Sequence, residues 1–254
     1  MKTTTDIHWN ERAKSVADDI EVNIMDVFQR ELEYDLIGPF LEAGTRILEV
    51  GCGNGFSTER FRKLVGHVDA FDYAEQMVER ARERVGETNN RFIHDNLLEP
   101  TSLEGPYDAV VCVRVLINLA DFAQQVQALD VMSSLVKPGG KLILAEGFTE
   151  GFDALSALRT SVGLSPVQPA AINYYAALSD FEAEIERDFE VVDRFHLGTY
   201  DYLTRVVYPL AAGETEVRHN SVMSERFSEL ARHSNVDDFE HLSRIRGLVC
   251  RRRD

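Results

Sequence analysis

The sequence predicts an α/β fold: a parallel β-sheet with helices on both faces. Two observations carry this. Short apolar runs alternate along the chain with segments of helical periodicity, the pattern of βαβ units. A glycine-rich turn, residues 51–55, joins the first of those runs to the helical segment after it. Ligands of such sheets sit beyond the carboxyl ends of the strands, so strand-end residues are the first candidates for function.

The elements read as follows. Ile24, Val27, Phe28, Leu32 and Leu36 recur at helical spacing and give a helix over 20–37, closed by Gly38-Pro39. Arg46-Ile47-Leu48-Glu49-Val50 is a buried strand, and 56–65 a helix stopped by Gly66. Residues 67–72 make a second strand. Ala74, Met77, Val78, Ala81 and Val85 form a helical stripe ending at Gly86. Residues 91–94 are a third strand. The continuous apolar run 108–113 is the best central strand. A helix over 122–135 follows, and Pro138-Gly139-Gly140 turns the chain into a strand over 141–146. Beyond Glu146 come a helical stretch over 154–160 and a loop rich in proline and aromatics. Ser179 and Glu182 have capping-box spacing and start a helix that runs to about 189. Residues 190–196 are a strand, 197–246 mostly helical, and 247–252 a last strand. The whole chain, 1–254, reads as one domain. Residues 1–43 form an N-terminal helical cap, and 147–177 and 197–246 are substrate-side insertions into the α/β core.

Composition narrows the function. The chain has 27 Lys plus Arg against 43 Asp plus Glu, a net charge of −16. Such a surface repels nucleic acid unless a local basic patch meets it, and Arg251-Arg252-Arg253 reads more simply as a solvated end. Cys52, Cys112 and Cys250 are far apart and odd in number, so no disulfide framework is implied, and no Cys/His cluster has zinc spacing. No run is long and apolar enough for a transmembrane helix, and the N-terminus lacks the apolar core of a signal peptide. The expectation is a cytoplasmic protein with neither a membrane nor a nucleic-acid partner, and with no metal.

The sharpest motif is Leu48-Glu49-Val50-Gly51-Cys52-Gly53-Asn54-Gly55. Glycines there permit positive φ and let backbone approach a ligand closely. Asp72, ending the second strand, can accept both hydroxyls of a ribose. Asp95, ending the third, can accept from an adenine amino group. A dinucleotide site would read Gly-x-Gly-x-x-Gly, but here the third glycine comes one residue early. Glu49 beside the loop would also oppose a pyrophosphate. A cationic sulfonium nucleoside suits these acids better.

These residues resemble the class I S-adenosylmethionine-dependent methyltransferase family. Glu49-Val50-Gly51-Cys52-Gly53-Asn54-Gly55 matches its first motif, Asp72 its ribose-binding acid, and His94-Asp95-Asn96-Leu97 its adenine-side segment. Tyr107-Asp108-Ala109-Val110-Val111 matches its fourth strand. Leu135-Val136-Lys137-Pro138-Gly139-Gly140-Lys141-Leu142 matches the turn before its fifth. The resemblance covers about 44–146. It implies a Rossmann-like seven-stranded sheet of order 3-2-1-4-5-7-6, the last strand antiparallel, with helical insertions after strand 5 and between strands 6 and 7. It also implies S-adenosylmethionine as cofactor and S-adenosylhomocysteine as product. On that pattern Gly51, Gly53 and Gly55 line the methionine and ribose portion, Asp72 binds the ribose, and Tyr73 and Met77 pack near the adenine. Asp95, Asn96 and Leu97 stand at its rim, and the Val113 and Arg114 backbone faces the methionyl amino group. Met77 is accounted for equally by ordinary core packing. Glu49, Asn118, and Trp9 and Arg12 from the N-terminal segment complete the cofactor-side candidates.

Methyl transfer from a sulfonium is an in-line displacement that depends on alignment and exclusion of water. A base is needed only for a protonated acceptor. Candidates on the acceptor side are Arg114, for an anionic acceptor or the methionyl carboxylate, and Glu146, to bind an amine or take a proton. His196 can serve as a base, and Tyr174 stands among the catalytic candidates. Many relatives carry a histidine near Asn118, and the amide here cannot act as a base. Arg159, Asn173, Tyr175, Tyr200, Tyr202 and Arg205 in the insertions suit a compact polar ligand, although the aromatics would equally pack the insertions onto the core. The reading is a methyltransferase of a small, polar, anionic metabolite, with O-methylation preferred. N-methylation of a small amine through Glu146 is the near alternative. An NAD-dependent oxidoreductase or a non-catalytic cofactor-binding protein is the rival from another class.

Overall fold

The computed structural model describes residues 4–16 and 25–254. Seven strands, β1 (Arg46–Val50), β2 (His67–Asp72), β3 (Asn90–His94), β4 (Tyr107–Val113), β5 (Val136–Gly147), β6 (Phe189–His196) and β7 (Ile245–Arg252), form one sheet of order β3-β2-β1-β4-β5-β7-β6. β1 through β5 pair in parallel, and β7 runs antiparallel to both its neighbours. The sheet order and the antiparallel last strand are as the sequence led one to expect.

Ten α-helices are described: α1 (Thr4–Ser15), α2 (Val27–Ile37), α3 (Thr58–Phe61), α4 (Glu75–Val85), α5 (Phe122–Leu135), α6 (Thr149–Ser161), α7 (Leu178–Ile185), α8 (Gly198–Tyr202), α9 (Tyr208–Ala212) and α10 (Val222–His233). The two-residue alternation of the strands divides the core. Ile47, Val68, Ala70, Val111 and Ile143 pack under α2, α3 and α4. Leu48, Val50, Phe71, Val110, Cys112, Leu142 and Leu144 pack under α5 and α7. Each such fully buried aliphatic side chain contributes about 1.5–3 kcal/mol. No described helix is long and apolar enough to cross a membrane.

Several boundaries differ from the sequence reading, each for a local reason. α2 begins at Val27 because the Asp26 carboxylate accepts from the Gln29 N–H at 3.1 Å. Of the helix expected over 20–37, residues 20–24 lie outside the described residues. α2 ends where expected, and Gly38–Phe40 tightens into a 3-10 turn. The helix expected over 56–65 shortens to α3, because Lys63 and Leu64 donate to carbonyls three rather than four residues back. The Ser179–Glu182 capping box does not form. α7 starts one residue earlier, and the Glu150 carboxylate from α6 accepts from the Leu178 N–H at 2.8 and 3.0 Å. β5 is longer than expected at both ends, since Val136 pairs with Tyr107 and Gly147 with Ile245. In the second insertion the chain passes from α8 through a π-helical turn, Leu203–Val207, into α9.

Candidate active site

β2 and β3 lie to one side of β1, and β4 lies to the other. Beyond the carboxyl ends of these strands opens a cavity of about 260 Å³, where the strand order reverses and ligands of open α/β sheets bind. Its floor is Val50, Gly51 and Gly53 after β1, Asp72 and Tyr73 after β2, and Val113 and Arg114 after β4. Trp9 from α1 and Asn173 from the first insertion stand over it. α1 is held there by Ala13 and Trp9 packing on Ala74 and Met77 at the start of α4.

The glycine loop is bound tightly to the sheet. Gly51 and Cys52 both donate to the Phe71 carbonyl at 2.9 Å. Gly51 (φ 70°) and Gly53 (φ 52°) adopt left-handed backbone, and a Cβ on Gly51 would meet Val115 Cγ2 at 2.3 Å. Gly55 packs the loop against Val85 and Ala81 of α4 rather than lining the cavity.

Two acids flank this loop. Asp72, 8% exposed, lines the cavity. One oxygen accepts from the Gly53 N–H and the other from the Ala74 N–H, each at 2.9 Å. Burial pushes its carboxyl up, and the two backbone donors oppose that shift. Glu49 is buried against the hydroxyls of Ser57 and Thr58, the latter at 2.5 Å. Burial pushes it up to about 7 against those two hydrogen bonds. Glycine backbone that closes in without side chains, beside an oriented and buried carboxylate, fits a cationic nucleoside with a free ribose. Tyr73 and Met77 also line the cavity, with Met77 buried on the α4 stripe.

The adenine-side segment is placed differently. The Asp95 carboxylate accepts from the N–H groups of Asn96, Thr101 and Ser102 at 2.7–3.1 Å. Those bonds draw its carboxyl below the usual range against the effect of burial. Asn96 accepts from the Leu98 N–H, and Leu97 is buried in the core beneath α5. These three stabilise the loop after β3 and do not line the cavity. Arg12 does not line it either.

Arg114, Asn118 and Asn173 also line the cavity, and the Asn118 side-chain amide donates to the Arg114 carbonyl at 2.9 Å. Arg114 has φ 53°, and its N–H donates to the Ala145 carbonyl at 2.8 Å. Its guanidinium Nε donates to Glu33 Oε2 at 3.1 Å. Among the described residues lining the cavity, Arg114 is the one cation.

The other acceptor-side candidates lie elsewhere. Glu146 is fully buried below the cavity. Its carboxylate accepts from the N–H groups of Val115 (2.9 Å), Leu116 (3.1 Å) and Ile117 (3.4 Å), and burial pushes it up to about 7. It caps the 3-10 turn Leu116–Asn118 rather than pointing into acceptor space. His196 borders a separate hollow with Leu36 and Asn235, and burial pushes its imidazole pKa down. Tyr174 is held by its backbone, donating to the Ile117 carbonyl, and its ring faces out.

The aromatics of the insertions mostly pack. Tyr175 lies on Phe152 with centroids 4.4 Å apart, and its hydroxyl accepts from Asn173 at 2.8 Å. Tyr202 stacks on Phe239 at 4.4 Å. Tyr200 is buried, its hydroxyl donating to Asp26 at 2.8 Å. Arg159 pairs with Glu214 at 2.6 Å, and Arg205 with Asp201 and Asp26 at 3.5 and 3.6 Å. Arg159 and Arg205 border a shallow surface hollow away from the cavity.

Contributors that escaped the sequence reading include Glu33 behind Arg114, and Tyr34, Ser57, Ala170 and Ile172 in the lining. A signal existed for the first. Gln29, Arg30 and Glu33 share the inner face of α2 with Leu32, and a polar inner face marks a helix that packs on a site.

Comparison with known proteins agrees with this fold. Residues 47–140 match the family model described as a methyltransferase domain. The ubiquinone biosynthesis O-methyltransferase of Xanthomonas axonopodis pv. citri (strain 306) is 36% identical over 106 residues, 41% of this chain and 43% of that protein. The chain thus matches less than half the length of this curated relative. The N-methyltransferase NodS of Bradyrhizobium japonicum WM9, solved with S-adenosylhomocysteine, superposes with a TM-score of 0.59 at 17% identity over 99% of both chains. The magnesium protoporphyrin IX methyltransferase ChlM of Synechocystis PCC 6803, also with bound S-adenosylhomocysteine, gives 0.61 at 17% identity, covering 99% of this chain and 95% of its own.

Proposed function

We propose that this chain, whose residues 47–140 match a methyltransferase-domain family model, is a class I S-adenosylmethionine-dependent methyltransferase that methylates an oxygen of a small, polar, anionic acceptor. The observation that carries the reading is the polarity of one cavity. Its lining carries Glu49 and Asp72 at the ends of β1 and β2, and Arg114 after β4. The two acids suit a cationic sulfonium nucleoside, and the guanidinium suits an anion that approaches it.

The bound cofactor supplies an electrophilic methyl group. Asp72, its orientation fixed by the Gly53 and Ala74 N–H groups, would hold the ribose by accepting from its hydroxyls. Gly51 and Gly53 let backbone approach the nucleoside. Trp9 and the first insertion, through Ala170, Ile172 and Asn173, cover the cavity and exclude water. Catalysis then rests on alignment of the acceptor oxygen. An acceptor already ionised at working pH needs no base, which accords with the distance of His196 from the cavity lining.

The amine alternative has less support, because the carboxylate that would bind the amine is committed to three backbone N–H groups. A nicotinamide dinucleotide is disfavoured by the early third glycine and by Glu49, which would oppose its pyrophosphate. The test is calorimetry with S-adenosylhomocysteine and NAD in parallel. S-adenosylhomocysteine should bind in the micromolar range and change the emission of Trp9, the single tryptophan, while NAD should do neither. Binding of NAD in preference would sink the reading.

A further inference from the structure

We infer that Arg114 is a carboxylate-reading subsite for the acceptor, and that Glu33, buried behind it, is the positioning residue that sets it. The inference rests on the methyltransferase reading above and names the chemical group that the acceptor presents.

Arg114 lines the cavity with its side chain 19% exposed. Among the described residues its guanidinium has one polar partner, Glu33, reached through Nε at 3.1 Å. A guanidinium held through Nε keeps its two terminal nitrogens as a parallel fork. That is the geometry that matches both oxygens of a carboxylate. Asn173 stands on the same cavity with its amide nitrogen committed to the Tyr175 hydroxyl, which fixes its orientation.

Glu33 is built for holding rather than for binding ligand. Its side chain is fully buried. Its second oxygen accepts from Gln29 Nε2 at 2.8 Å, and Gln29 Oε1 in turn accepts from an Arg244 terminal nitrogen at 2.9 Å. Arg244 is fixed by Asp201 of α8, at 2.9 Å from its Nε and 2.9 Å from its backbone N–H. The second insertion therefore reaches the acceptor cavity through this relay rather than through its own aromatics. A carboxylate is required at the junction because it accepts on both sides. An amide at position 33 would set a donor against either Arg114 or Gln29.

The inner wall is also rich in positive charge. Arg30, fully buried on the next residue along α2's inner face from Gln29, lies 3.4 Å over the Phe56 ring and is close enough for Arg114 to depress its pKa, burial being the larger cause. Removing Glu33's negative charge should therefore tighten anion binding if that charge only offsets Arg114. If Glu33 positions the fork, removing it should weaken binding. The two roles predict opposite signs.

The experiment uses the full chain saturated with S-adenosylhomocysteine, titrated with benzoate and with its neutral isostere benzamide, read by calorimetry and Trp9 emission. The wild-type protein should prefer benzoate by about tenfold or more. Glu33→Gln should lower benzoate affinity by about tenfold and leave S-adenosylhomocysteine affinity unchanged. Arg114→Leu should erase the preference, and Arg114→Lys should keep only part of it, since a point charge cannot replace the fork. Where Glu33→Gln does not fold, Glu33→Asp serves. It keeps the charge but cannot reach both partners, and it should also weaken benzoate. Benzoate bound no better than benzamide overturns the subsite. Unchanged or tighter benzoate binding in a folded Glu33 variant overturns the positioning role. Failure of S-adenosylhomocysteine itself to bind the wild-type chain overturns the methyltransferase reading, and the inference with it.

Discussion

Replacing Asp72 with alanine should weaken S-adenosylhomocysteine binding by about 10²–10³-fold. The carboxylate is buried in the cavity and oriented by two backbone N–H groups at 2.9 Å, so it costs little reorganisation to accept from a ribose. Hydrogen bonds to a charged acceptor contribute about 1.5–3 kcal/mol each, and a ribose offers two donors. The substitution also releases Gly53 and Ala74, which loosens the loop the nucleoside rests on. Asp72→Asn keeps one acceptor oxygen and should lose only about tenfold. Calorimetry decides the matter, and unchanged affinity in Asp72→Ala would remove the ribose role.

Glu146→Ala should be the most destabilising single change near the site. The carboxylate satisfies the N–H groups of Val115, Leu116 and Ile117 in a fully buried position. Each orphaned donor costs about 1–3 kcal/mol, so a loss of about 3–6 kcal/mol is expected in urea unfolding. Glu146→Gln retains an oxygen for Val115 and Leu116 and should lose less. Its deficit should also depend on pH. Burial raises the folded carboxyl from 4.5 to about 7, so the folded chain holds a proton that the unfolded chain releases. That contribution is present below about pH 4.5 and is lost as pH rises through 7. The gap between wild type and Glu146→Gln should therefore narrow between pH 5 and pH 8. A gap independent of pH would mean that Glu146 is ionised throughout.

The legible part of the fold was the part written locally. Ile47 and Leu48 face opposite sides of β1, and the same alternation in β4 announces a strand buried on both faces. The glycine loop and Asp72 were legible for a related reason: turn chemistry and strand ends fix where they point. The acceptor side was less legible because its partnerships are tertiary. Glu33 and Arg114 are 81 positions apart, and nothing near either residue announces the other. Glu146 was correctly placed at the carboxyl end of β5. Which donors it meets is set by the turn after β4, where Arg114 takes a positive φ that its residue type does not signal. The tyrosines of the insertions have the composition of a ligand site, yet Tyr175, Tyr200 and Tyr202 each found an internal partner. Composition alone cannot tell these outcomes apart.

Methyl transfer to an anionic small molecule would show itself in a small-molecule extract divided by charge before assay. Each fraction is then incubated with the chain and S-adenosylmethionine labelled in its methyl group. Label should be incorporated from the anionic fraction, matched by release of S-adenosylhomocysteine and lost in Asp72→Ala. Label incorporated from the cationic fraction alone, or tight S-adenosylhomocysteine binding with no label from any fraction, would contradict it.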